Sequence, residues 1–164
     1  MKKLVFIIIS ALLSFGFIET KELIFKSIDG KTKITATDQW KAAGNMKGVE
    51  IYISNINTTL VVSKDEKVPE GTDLSTYSAG KLFLQIAVLN TSPSFSGKKT
   101  INGNSFKYYE YEYDNKNLIK MKTLVYHTIV GSTGYQMVIT APFEGFNQHK
   151  PLYNKIGNSL TITP

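Results

Sequence analysis

The side chains able to do chemistry in this 164-residue chain are few and scattered. There is no Cys, which removes thiolate nucleophiles, disulfides and Cys-ligated metals. Of the two histidines, His127 alternates with Val125 and Ile129, the setting of a hydrogen-bonded ring on an apolar strand face. His149 lies in the polar lead-in to a C-terminal helical pattern. Neither has a second His or a carboxylate at ligand spacing such as His-x-x-x-His, so no metal site is expected. Ser78-Ala79-Gly80-Lys81 matches the end of a phosphate-binding loop only in part. Ser75 stands where the first Gly is required, and Leu82 replaces the Mg-binding hydroxyl. Gly131-Ser132-Thr133-Gly134 places a serine between glycines, but in a hairpin turn rather than a strand-to-helix elbow. Glu110 and Glu112 share one strand face, as acid–base work on a sugar would need, yet no Asp or Asn cluster flanks them. No catalytic, cofactor-binding or metal-ligating residue is therefore expected.

One constellation points to binding. Tyr109, Tyr111 and Tyr113 alternate along a strand pattern. If its hairpin closes across Asp114–Asn117, then Tyr111 faces Lys120, Tyr109 faces Lys122 and Tyr113 faces Leu118, all on one face. Tyr offers rigid amphipathic contact area, so Tyr109, Tyr111, Tyr113, Lys120 and Lys122 form the expected binding platform. The competing reading covers this face with a helix. Phe106, Tyr108, Met121 and Val125, on the opposite face, are expected in the core.

The charge balance argues against specific nucleic-acid recognition. The net charge is +6, but all 19 cations are Lys, spread along the chain in nothing longer than a pair. Arg is the residue that grips phosphate or guanine bidentately, and there is none.

The elements that would position these residues follow from periodicity. Lys33–Thr37 alternates as a strand, ending near Trp40, which is expected to be buried. Val49-x-Ile51-x-Ile53 and Thr58–Ser63 make a second and third strand around a turn at Asn55–Asn57. Thr72 or Asp73 caps a helix over 72–90, with Leu74, Tyr77, Leu82, Ile86 and Leu89 inward and Phe83 and Val88 widening the apolar face. A four-stranded meander follows, opened by the Asn102-Gly103 hairpin signal. Pro151 is expected in the first turn of a last helix that stops at Gly157-Asn158, before a final strand at 159–162. The class is α+β, an antiparallel β-sheet flanked by helices in the order βββα-ββββ-αβ.

That order resembles the PsbP/DcrB-like family over about residues 32–162. The resemblance is carried by the strand ending in Trp40, the helix 72–90 and the hairpin Ile101-Asn102-Gly103-Asn104-Ser105-Phe106. Tyr109-x-Tyr111-x-Tyr113, Tyr135-x-Met137-x-Ile139-Thr140-Ala141-Pro142, Phe146 and Ser159-Leu160 complete it. Each marks packing or a turn. Members include a photosystem II extrinsic subunit, a yeast Ran-binding protein, bacterial envelope lipoproteins and secretion-effector chaperones. The resemblance implies a domain that binds other proteins or assists assembly; a fold alone does not fix one function. This chain lacks the lipid-anchoring Cys of the lipoproteins.

Lys2-Lys3 followed by the apolar run Leu4–Leu13 reads as an export signal over 1–18, cleaved or kept as an N-terminal anchor. Residues 19–31 are expected as a flexible lead-in, and 32–164 as one domain. The chain is thus read as a periplasmic or secreted, non-enzymatic binding or assembly domain without cofactor, acting on another protein or an envelope component. Membrane contact is expected only through a retained N-terminal segment. The alternatives are a carrier holding a small apolar ligand between sheet and helix, and then an enzyme.

Overall fold

The computed structural model describes residues 20–65 and 67–164; the expected export segment lies outside them. Ten strands and two helices follow in the order β1 (Glu22–Lys26), β2 (Thr32–Thr37), β3 (Lys41–Ala42), β4 (Val49–Asn55), β5 (Thr58–Asp65), α1 (Leu74–Leu89), β6 (Phe95–Ile101), β7 (Asn104–Asp114), β8 (Lys120–Val130), β9 (Thr133–Pro142), α2 (Phe146–Asn158) and β10 (Thr161–Ile162). The α+β class with helices flanking an antiparallel sheet is as expected, with β1 and β3 in addition.

A seven-stranded sheet, ordered β3-β4-β5-β9-β8-β7-β6, forms the middle layer. On one side a three-stranded sheet, β1-β2-β10, and α2 enclose the main core. Ile34, Trp40, Ile53, Leu60, Met137, Ile139, Phe146 and Ile156 are all at most 2% exposed there. On the other side α1 lays Leu82, Ile86 and Leu89 over Tyr109, Tyr111 and Val125. Strand alternation drives this division, since successive side chains point to opposite faces.

Local signals explain the elements. The Asp73 carboxylate accepts a hydrogen bond from the Thr76 N–H at 2.7 Å and satisfies a helix-start donor with no internal partner. Asn90 ends α1 in the left-handed region. Asn102 and Gly103 both take positive φ, as their hairpin turn requires.

Three expectations are corrected. Residues 19–31 contain strand β1, which pairs with β2 from Glu22↔Thr37 to Lys26↔Lys33, so this stretch is no flexible lead-in. Pro151 sits inside α2 rather than in its first turn, because the helix starts at Phe146. Buried Phe146, Tyr153 and Ile156 anchor that longer helix, and their packing outweighs the backbone bond that proline cannot donate. On α1, Phe83 and Val88 do not widen the inward face; they point outward, 74% and 80% exposed.

Candidate functional site

The expected Tyr/Lys platform does not form, and the turn after β7 is the reason. Asn115 Oδ1 accepts from the N–H groups of Asn117 and Ile119 at 2.9 and 3.0 Å, and Leu118 takes φ +60°. The connection therefore spans residues 115–119, and Asp114 pairs with Lys120. Tyr111 lies opposite Thr123, Tyr109 opposite Val125 and Tyr113 opposite Met121. The register differs from the expected one by three residues. An odd shift moves the partner side chains to the other face. Tyr109 and Tyr111 are buried under α1, with Tyr113 half-buried beside them, whereas Lys122 and Lys120 belong to the opposite face. Val125, expected with Phe106 on the other face, joins the tyrosines.

Beneath α1 lies a buried polar chain. Ser78 Oγ is 2.9 Å from both His127 Nδ1 and the Tyr109 hydroxyl, and Ser78 and His127 are fully buried. The Gln136 amide nitrogen lies 3.2 Å from His127 Nε2 and 3.5 Å from Gln85 Oε1. An amide nitrogen only donates, so His127 Nε2 accepts and Nδ1 carries the proton toward Ser78. Ser78 Oγ is then an acceptor from the ring. A serine nucleophile needs the reverse, its O–H donated to a basic imidazole. Burial, with the Lys81 ammonium adding to it, lowers the His127 pKa to about 4 and keeps the ring neutral. Tyr77 fills the space beside this chain: a Cβ at Gly134 would meet its ring at 2.5 Å. The arrangement locks a helix to a sheet.

Glu110 and Glu112 share a face, as read from the sequence, but they act as ion-pair partners. Lys122 lies 3.4 Å from Glu110 and 3.1 Å from Glu112, and Lys150 of α2 reaches Glu110 at 2.5 Å. Lys122 also sits over the Phe146 ring, and Lys120 over Phe143 at 4.2 Å. Among the described residues no group of three His, Asp or Glu side chains could hold a metal.

The candidate site is the groove that begins where this ion-pair row ends. Its floor is built by one face of β6, β7 and β8, and its wall by Lys150 and Asn154, one turn apart on α2. The volume is about 400 Å³, open to solvent. Phe95, Tyr108 and Tyr126, from three adjacent strands, form an aromatic row with centroid separations of 5.5 and 5.7 Å. Gly97 makes room for it, because a Cβ there would lie 2.6 Å from Tyr108 Cε1. The Tyr126 hydroxyl reaches Asn154 Oδ1 at 3.4 Å, and burial raises its pKa to about 12, so it stays a neutral donor.

The electrostatics are one-sided. Lys99 lies half-buried with its ammonium 5.9 Å from the Tyr126 centroid, and burial lowers its pKa. Among the described residues neither Lys99 nor Lys98 has a carboxylate within ion-pair distance, while Glu110 is already engaged by two lysines. The groove therefore presents the unneutralised Lys99 beside an aromatic floor, with Lys98 at its rim on the other face of β6. Such a site fits an anionic group attached to an apolar or aromatic body.

Sequence reasoning placed Lys98 and Lys99 in a strand and Tyr108 in the core, and it missed the groove. One signal was present. Phe95, Gly97 and Lys99 fall on one face of β6, so Lys99 occupies a position where alternation calls for an apolar side chain.

No protein-family model matches the chain, and no curated protein matches its sequence. Its fold is nonetheless shared with solved structures. The cyanobacterial PsbP (CyanoP) of Synechocystis sp. PCC 6803 superposes with a TM-score of 0.67 at 10% identity, over 90% of this chain and 95% of that one. LpqN of Mycobacterium tuberculosis, involved in cell envelope biogenesis, gives 0.62 at 16% identity, over 89% and 92%. The Saccharomyces cerevisiae Ran-binding protein Mog1p gives 0.61 at 10% identity, over 88% and 96%. The chain has the PsbP/Mog1-like fold, as the sequence resemblance led us to expect.

Proposed function

We propose that the chain is a non-enzymatic, exported binding or assembly domain that holds a protein partner in the groove between β6–β8 and α2. The observation that carries this reading is Lys99. A half-buried cation without a counter-ion among the described residues, above an aromatic floor in an open groove, costs the folded protein stability that a bound anion would return. Two proteins that share the fold are a Ran-binding protein and a protein involved in cell envelope biogenesis, which supports a binding or envelope role. Export rests on Lys2-Lys3 and the apolar run after it.

The rival readings have less support. Among the described residues the Ser78–His127 contact is buried and has the wrong polarity for a nucleophile. A carrier needs space between sheet and helix, but Tyr77 lies against the Gly134 backbone, and Gly157 of α2 lies against Met137 Cε, 3.1 Å from where its Cβ would be. Among the described residues no helix is long and apolar enough to cross a membrane.

The test is site-specific cross-linking in envelope extract. A photoreactive side chain at position 98, on the exposed rim, should capture a protein, and Lys99→Glu in the same chain should abolish the capture. A cross-link formed only from position 83, on the outer face of α1, and indifferent to Lys99→Glu would overturn the groove reading.

A further inference from the structure

Among the described residues, the groove borders a long free edge of the central sheet, that of β6. β6 is its last strand, seven residues from Phe95 to Ile101, whereas at the opposite edge the two-residue β3 pairs with only Ile53 and Ser54 of β4. Along an edge strand alternate N–H and C=O groups point away from the sheet with no strand to receive them. Those of β6 lie directly beside the lysines and the aromatic row.

We propose, on the strength of the groove reading, that β6 takes up an extended acidic segment of the protein partner as an additional strand. The side-chain layout selects that occupant. Lys98 and Lys99 are neighbours in an extended strand and so project to opposite faces. A segment paired with β6 places its own side chains beside both, at the distance over which directly opposite residues interact. Acidic residues at two adjacent positions meet Lys98 on one face and Lys99 and Lys150 on the other. Phe95 shares the face of Lys99 four residues away and is half exposed, giving an apolar or aromatic side chain of the segment a place against the Phe95–Tyr108 pair. Gly97, between them, presents bare backbone.

The same layout disfavours a second copy of this chain. Two β6 strands placed edge to edge bring lysine pairs together, and like charges across a strand pair are destabilising. Lysines on an edge also protect it from indiscriminate pairing, and an acidic segment is the partner for which that protection becomes attraction.

The test uses the full chain and a labelled synthetic peptide of about nine residues, Val and Thr around a central Glu-Glu pair, followed by fluorescence anisotropy. Binding is expected, with a loss of about tenfold or more in the Lys98→Glu and Lys99→Glu proteins. Two further peptides carry N-methyl groups on the odd or on the even amides. A peptide strand offers only one edge to β6, so one of the two should lose binding about tenfold and the other should keep it. If both methylated peptides bind as the parent does, strand addition is wrong while the groove reading survives, since side chains alone then hold the acid. No binding of the parent peptide at about millimolar concentration, or binding unchanged in both lysine variants, also overturns the proposal. The cross-linking from position 98 then judges the groove reading separately.

Discussion

His127 should make the fold acid-sensitive in a window that no other group described here explains. Its ring is fully buried between Ser78 and Gln136, with Tyr77 and Tyr109 packed on it. The charged groups facing it are Lys81, which opposes protonation, and Asp65, which favours it less strongly; burial is the largest cause. Together they lower the pKa from 6.5 to about 4. The unfolded chain thus takes up a proton that the folded protein refuses, so stability is complete above pH 6.5 and falls as the pH drops toward 4. Each pH unit inside the window costs about 1.4 kcal/mol, and acidifying from about pH 7 to pH 5 should remove about 2 kcal/mol. In a domain of this size that is about 4–8 °C in Tm. Asp29, held at about 2 chiefly by the Ser27 hydroxyl and the Lys31 N–H, titrates below this range and does not contribute. Urea midpoints at the two pH values, for the parent and for His127→Gln, provide the assay. The substitution lowers stability at both values but should flatten the dependence on pH. Equal acid losses in the parent and His127→Gln would refute the reasoning.

Other expectations follow from packing. Trp40 is 1% exposed in the main core, so Trp40→Ala should cost about 3–5 kcal/mol in denaturant unfolding. An unchanged midpoint would place the ring at the surface. Tyr111 is fully buried, and among the described residues its hydroxyl has no hydrogen-bond partner, so Tyr111→Phe should leave stability unchanged or raise it by about 1 kcal/mol. A clear loss in thermal unfolding would reveal a partner for that hydroxyl. Gly97→Ala forces a methyl against Tyr108 and should cost about 1–3 kcal/mol while distorting the groove floor, read as a fall in both Tm and acidic-peptide binding.

Where local chemistry decides an element, the sequence revealed it. The Asp73 cap, the Asn102-Gly103 turn and the helical spacing of Leu82, Ile86 and Leu89 each act within a few residues, and each stands where expected. β1 was hidden because Ile24 is 62% exposed and only Phe25 packs on the main core, so its alternation carries little apolar contrast. The Tyr/Lys platform failed on a single turn. Asn115 draws two backbone N–H groups to its side chain and widens the loop, a choice that strand periodicity on either side does not encode. Tyr109 and Tyr111 then became core, and the opposite face acquired Lys122. The groove depends on α2 bringing Lys150 and Asn154 to strands that precede it by tens of residues, a long-range contact for which Lys99 was the only local sign.

The central claim is that this molecule works through the groove and the free edge of β6. Amide hydrogen exchange across the chain, with and without a protein captured by cross-linking from position 98, tests it most directly. New protection is expected along Phe95–Ile101, where among the described residues the outward N–H groups have no strand beyond them, with slower exchange around Lys150–Asn154 on α2. Protection that instead covers the outer face of α1 around Phe83, Leu84 and Val88, with β6 unchanged, would contradict it.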